Sequence, residues 1–153
     1  MELNFNYELD KIYSQLGDSK ELPLATSSNN HSTVRIVSCI IFRNKIYFQT
    51  GTDLIKYKQI LENNNVALCY LNIQIEGIAN IIGKTNDEQY IEIMEIYKKY
   101  FLKSYETYSH YEKEVLIEII PKKIIKWDYK NGKPYRIFFD IENKNVNKEM
   151  YLD

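Results

Sequence analysis

The chain has 153 residues, 44% hydrophobic and 27% charged, enough for one domain with a real core and too apolar for a disordered chain. Its formal net charge of −1 lacks the positive excess that marks nucleic-acid binding. No stretch approaches the roughly 20 apolar residues of a membrane helix, and the mixed start MELNFNYELDKIY does not read as a signal peptide, so a cytoplasmic protein is expected.

In chain order, Phe5, Leu9, Ile12, Tyr13 and Leu16 recur near helical spacing, with Gly17 as a stop. LPLATS (residues 22–27) reads as a short strand and SSNNHS as a turn. Residues 34–42 form a strand apolar on both faces, which requires a barrel interior on one side and a helix or subunit on the other, or a sandwich. Arg43-Asn44-Lys45 turns the chain, and 46–50 returns. Leu54, Tyr57, Ile60 and Leu61 mark a helix ended by the asparagines 63–65. Strands follow over 66–71 and 73–84, where Gly77 and Gly83 mark bends or close backbone approach. The strongest helical stripe is Tyr90, Ile93, Met94, Tyr97 and Phe101, within a helix over 87–105 capped by Asn86 or Asp87; it reads as packing. Residues 105–113 read as a polar aromatic loop. A long strand over 115–129, kinked at Pro121, a turn at Asn131-Gly132 and a last strand over 135–141 complete the pattern. The tail ENKNVNKEMYLD reads as mobile or as docking on a neighbour.

About six strands in short hairpins, with helices at the N-terminus and between strands, predict a mainly β fold: one small antiparallel barrel over residues 1–153, with no internal repeat. Cys39 and Cys69 lie in apolar strands without CxxC pairing and read as buried, reduced thiols. His31 and His110 are isolated, so no metal site is expected, and neither a P-loop nor GxGxxG occurs. Aromatic residues make up 14%, with 14 tyrosines, which favours half-buried sites and a homo-oligomer.

The stretch 34–65 carries the chemistry. Pairing of its two strands brings Arg35, Thr50, Lys56 and the amides opening the following helix to one edge of the sheet, a combination suited to a phosphate on a flat apolar group. Asp53 would compete with a phosphate if it capped that helix; Thr52 as the cap would remove the conflict.

The run LATSSNN…TVRIVSCIIFRNKIYFQTGTDLIKYKQILENNNVALCY, with the later EGIAN and IIPKKIIKWDY, resembles the pyridoxamine 5′-phosphate oxidase-like family of FMN-binding split β-barrels, over about Leu22 to Tyr129. It looks most like the general-stress-protein branch that neighbours the nitroimidazole reductase-like proteins. The resemblance implies a homodimer with FMN at the subunit interface. It places Arg35, Ile36, Val37 and Ser38 along the flavin and ribityl chain, Gln49 and Thr50 at flavin and phosphate, and Lys56 on the phosphate with Arg35 beside it. Asn72 matches a position supplied across the dimer, and Trp127 falls near a tryptophan that closes the site. It implies electron transfer from NAD(P)H through FMN to a small acceptor, with no residue singled out as acid or base. A non-catalytic flavin-binding or sensing protein, and a haem- or deazaflavin-binding relative, are the alternatives. Two departures separate the chain from the oxidase itself. Ile55 stands where the oxidase has a basic residue, and PYRIFFDIENK replaces an RLHDR-like segment, with no histidine after His110.

Overall fold

A computed structural model describes residues 2–151. The chain runs α1 (Phe5–Leu16), β1 (Ser19–Ser28), β2 (His31–Phe42), β3 (Lys45–Gly51), α2 (Ile55–Glu62), β4 (Asn65–Tyr70), β5 (Ile73–Lys84), α3 (Ile91–Tyr100), α4 (Leu102–Tyr108), β6 (Glu114–Lys130), β7 (Lys133–Asp140) and β8 (Asn145–Met150). All eight strands form one antiparallel sheet in the order β3-β2-β1-β4-β5-β6-β7-β8. Pairing of β3 with β6 closes the first six into a barrel and leaves β7 and β8 as an extension. The expected antiparallel split barrel is therefore present, with two strands added beyond it.

Alternation along the strands decides the interior. Leu22 and Leu24 of β1, Ile46 and Phe48 of β3, Leu68 of β4, Ile75 of β5 and Ile117 and Ile119 of β6 are buried together, and Leu9, Ile12 and Leu16 of α1 add to the same core. Gly17 ends α1 with φ 71°, in the left-handed region that glycine enters at low cost. A second core lies outside the barrel, where Met94 and Tyr97 of α3 cover Ile40, Tyr47 and Leu116. The two apolar faces of β2 are thus explained only in part. Ile40 is covered by α3, whereas Val34 and Ile36 on the same outward face stay 68% and 59% exposed.

Three β-hairpins, at Asn29-Asn30, Arg43-Asn44 and Asn131-Gly132, turn on pairs of positive-φ residues, the geometry that matches strand twist. Gly77 sits at a register shift opposite Pro121, where a Cβ would meet Ile119 Cγ2 and Ile120 O at 2.8 Å, so β5 and β6 touch there.

Four expectations need correction. The single helix over 87–105 is a 3₁₀ turn at Glu88–Tyr90 followed by α3 and α4, which part at Phe101 because its backbone (φ −132°, ψ 53°) leaves the helical region. Residues 105–108, expected in a loop, belong to α4. The polar tail forms β8 on the edge of β7, held by an Asp140–Asn143 turn; Leu152 and Asp153 lie outside the described residues. Cys39 is buried as expected, but Cys69 is exposed, because Leu68 takes the inward position of β4 and turns its neighbour out.

Candidate functional site

The site arises where two paired strands separate. Strands β2 and β3 hold register only at Ile40–Tyr47, Ile41–Ile46 and Phe42–Lys45. Beyond Tyr47, β3 leaves β2 and pairs with β6 as far as Gly51–Glu114. A cavity of about 680 Å³ fills the wedge, with Ile36, Val37 and Ser38 on one wall and Gln49, Thr50 and Gly51 on the other. This volume is within the usual range for small-molecule sites. The opening of α2 contributes Leu54 and Lys56, α3 and α4 contribute Tyr97 and Tyr108, and the approach to β6 contributes Tyr111 and Glu114.

Gln49 is the most informative residue. It is 91% removed from solvent, its Oε1 accepts from the Ser109 hydroxyl at 2.6 Å, and its Nε2 is buried without a hydrogen-bond partner. Ser109 is itself fixed by its carbonyl, which accepts from Thr85 Oγ1 at 2.6 Å. An unmet buried amide donor costs about 1–3 kcal/mol, a cost that an acceptor brought by a ligand would remove.

At the other end of the wedge, α2 begins without a side-chain cap. Leu54 holds the cap position in extended backbone, so neither Asp53 nor Thr52 takes the role weighed for it in the sequence. The first amides of α2 have no side-chain acceptor, which favours an anion there. Lys56 makes no ion pair among the described residues. Burial lowers its pKa, the nearby Arg35 charge adds to this, and Glu114 opposes it.

Arg35 is placed differently from its expected role. Its guanidinium donates to Leu24 O at 3.2 Å, Thr26 Oγ1 at 2.7 Å and Thr33 Oγ1 at 2.5 Å. Both threonine hydroxyls also bond Gln59 Oε1, at 2.5 and 2.6 Å, so Arg35 joins a network that ties α2 to the barrel. It does not line the cavity, although its charge is felt at Lys56. Asn72 and Trp127 bond one another, Trp127 N donating to Asn72 O at 3.0 Å and Asn72 Nδ2 to Trp127 O. They stand at the start of β5, whereas the cavity lies near its end. A twelve-residue strand separates the two places, roughly 35 Å of backbone at the usual rise. Within one chain they do not meet the cavity.

Of the nine residues expected at the site, six therefore line one cavity: Ile36, Val37, Ser38, Gln49, Thr50 and Lys56. The sequence reading missed Glu114. Only 7% exposed, its carboxyl is pushed up to about 7 by burial, with Lys56 opposing the rise and Asp53 adding to it. The available signal was its place, the acidic residue opening a long apolar strand. Away from the cavity, the Arg136 guanidinium lies 5.0 Å from the Trp127 ring centroid and 5.7 Å from that of Tyr151.

Neither a family model nor a curated protein sequence matches the chain. Solved structures do match. General Stress Protein 26 from Bacillus anthracis str. Sterne shares 19% identity over 91% of this chain and 100% of its own, with a TM-score of 0.64. A pyridoxamine 5′-phosphate oxidase-related, FMN-binding protein from Nostoc punctiforme shares 14% over 86% of each chain, at 0.57. HutZ, the heme storage protein from Vibrio cholerae, shares 11% over 78% of this chain and 91% of its own, at 0.59. At these identities the likeness is one of fold: the chain has the split-barrel fold of the pyridoxamine 5′-phosphate oxidase-like proteins.

Proposed function

We propose that the protein is an FMN-binding oxidoreductase. The observation that carries this reading is the buried Gln49 Nε2, without a partner among the described residues, in the same cavity as Lys56, which has no ion pair among them. Lys56 and the first amides of α2 hold the phosphate, Gln49 Nε2 donates to an acceptor of the flavin, and Ile36, Val37 and Ser38 run along it, with Thr50 behind. Once bound, FMN supplies the redox chemistry, taking electrons from NAD(P)H and releasing them to a small acceptor. The chain's part is to anchor, orient and shield. A cytoplasmic setting, where NAD(P)H is available, goes with this reading.

The functional unit in this reading is a homodimer. Val34, Ile36, Leu54 and Ile55 are exposed beside the cavity mouth, and such a patch calls for a cover. A second copy would both cover it and bring Asn72 and Trp127 to a cavity they cannot reach within their own chain.

The test is anaerobic addition of NADH or NADPH to the FMN-loaded protein. Loss of the flavin absorption, restored by an acceptor, is expected. Flavin that neither nucleotide reduces would contradict the oxidoreductase and leave a flavin-binding protein. A haem reading is favoured by the likeness to HutZ, but neither His31 nor His110 lines the cavity of its own chain, so a histidine axial ligand would have to come from the second copy.

A further inference from the structure

The cavity wall is not cationic. Asp53, Glu112 and Glu114 line it against Lys56 and Lys113, and Glu112 also pairs with Lys84. The guanidinium that would add positive charge, Arg35, is committed to Leu24, Thr26 and Thr33. Glu114 lies at the centre of this arrangement. Gly51 on β3 pairs with it, and a Cβ built on Gly51 would meet Asp53 Oδ1 at 2.7 Å and Glu114 Oε1 at 3.6 Å. Both carboxylates therefore stand over one glycine, and Glu114 is in electrostatic reach of both Lys56 and Asp53. Glu114 also acts on the Tyr97 hydroxyl across the cavity. No cation lies within ion-pair distance of Glu114 among the described residues.

A doubly charged phosphate at Lys56 thus meets an acidic neighbour that no cation neutralises. The orphaned Gln49 Nε2 is independent of that charge, since it asks only for an acceptor on the ligand. We propose that Glu114 is a specificity-determining residue of this cavity, whose carboxylate works against Lys56 for a phosphate and shifts preference toward the same ring carrying an uncharged polyol chain. The inference rests on the flavin reading of the cavity.

The Glu114 carboxyl titrates near 7, so it is largely neutral at pH 6 and charged at pH 8. A phosphate monoester loses its second proton near pH 6, so its growing charge meets the growing charge of Glu114. Repulsion between them increases over this interval.

FMN and riboflavin are titrated separately into the wild-type protein and Glu114→Gln at pH 6 and pH 8, following quenching of flavin fluorescence. At pH 8 the substitution is expected to tighten FMN about ten-fold, the scale of one unit charge acting across a cavity of intermediate dielectric, while leaving riboflavin unmoved. At pH 6 the two proteins should converge. Unmoved riboflavin affinity also shows that the variant keeps its fold. An FMN-to-riboflavin ratio unchanged by the substitution at both pH values would overturn this role for Glu114 alone. Failure of both flavins to bind either protein would overturn it together with the flavin reading.

Discussion

Lys56→Ala is expected to weaken FMN binding about ten- to hundred-fold, the range of a lost charge-assisted hydrogen bond, with no change in thermal midpoint. Lys56 makes no ion pair among the described residues and stands on the first turn of an uncapped helix, so the fold loses nothing when it is removed. Arg35→Ala should behave in the opposite way. Its guanidinium bonds Leu24, Thr26 and Thr33, and both threonines meet Gln59 of α2. Leaving these partners unsatisfied is expected to cost about 1–3 kcal/mol of stability, with a smaller effect on FMN. Flavin titrations paired with melting curves on the two variants separate the roles. A Lys56→Ala protein that holds FMN as tightly as wild type would contradict the phosphate assignment.

The largest stability effect is expected at Phe48. Its ring is fully buried at the middle of β3, just past the last β2 pair and opposite Ile117 of β6, in the cluster that fills the barrel. Phe48→Ala removes that ring and leaves a cavity that the surrounding closed barrel cannot collapse to fill. The expected loss is about 3–5 kcal/mol, which for a chain of this size lowers the melting temperature by about 10 °C. Urea unfolding followed by circular dichroism measures it. Tyr129→Ala offers the contrast: 70% exposed at the hairpin end of β6, it should change stability by less than about 0.5 kcal/mol. A Phe48→Ala protein as stable as the Tyr129 variant would contradict the assignment of the barrel interior.

Much of this was legible in the sequence because the signals were local. The hairpin at Arg43-Asn44, the stop at Gly17, the Asp87 cap, which accepts from Gln89 N at 3.1 Å, and the bend at Gly77 each depend on a few adjacent residues. What was not legible depended on partners distant in sequence. Asn145–Met150 has too few apolar residues to announce a strand and becomes one because β7 offers an open edge. The break at Phe101 lies inside an unbroken helical stripe, and its cause is the backbone, not the pattern.

The site divides in the same way. That Ile36, Val37, Ser38, Gln49, Thr50 and Lys56 share one cavity was foreseeable because two adjacent strands and the following helix must share an end. The hydrogen bonds of Arg35 were not legible, since the threonines that take its guanidinium lie on β1 and at the start of β2. Glu114 comes to the cavity through β3–β6 closure, a pairing between residues more than sixty apart that no local pattern encodes.

FMN binding in the wedge between β2 and β3 is tested by an absorption spectrum of the purified protein after incubation with FMN and removal of the excess by gel filtration. A retained two-band flavin spectrum, diminished by Lys56→Ala, is expected. A protein that leaves the column colourless would contradict it.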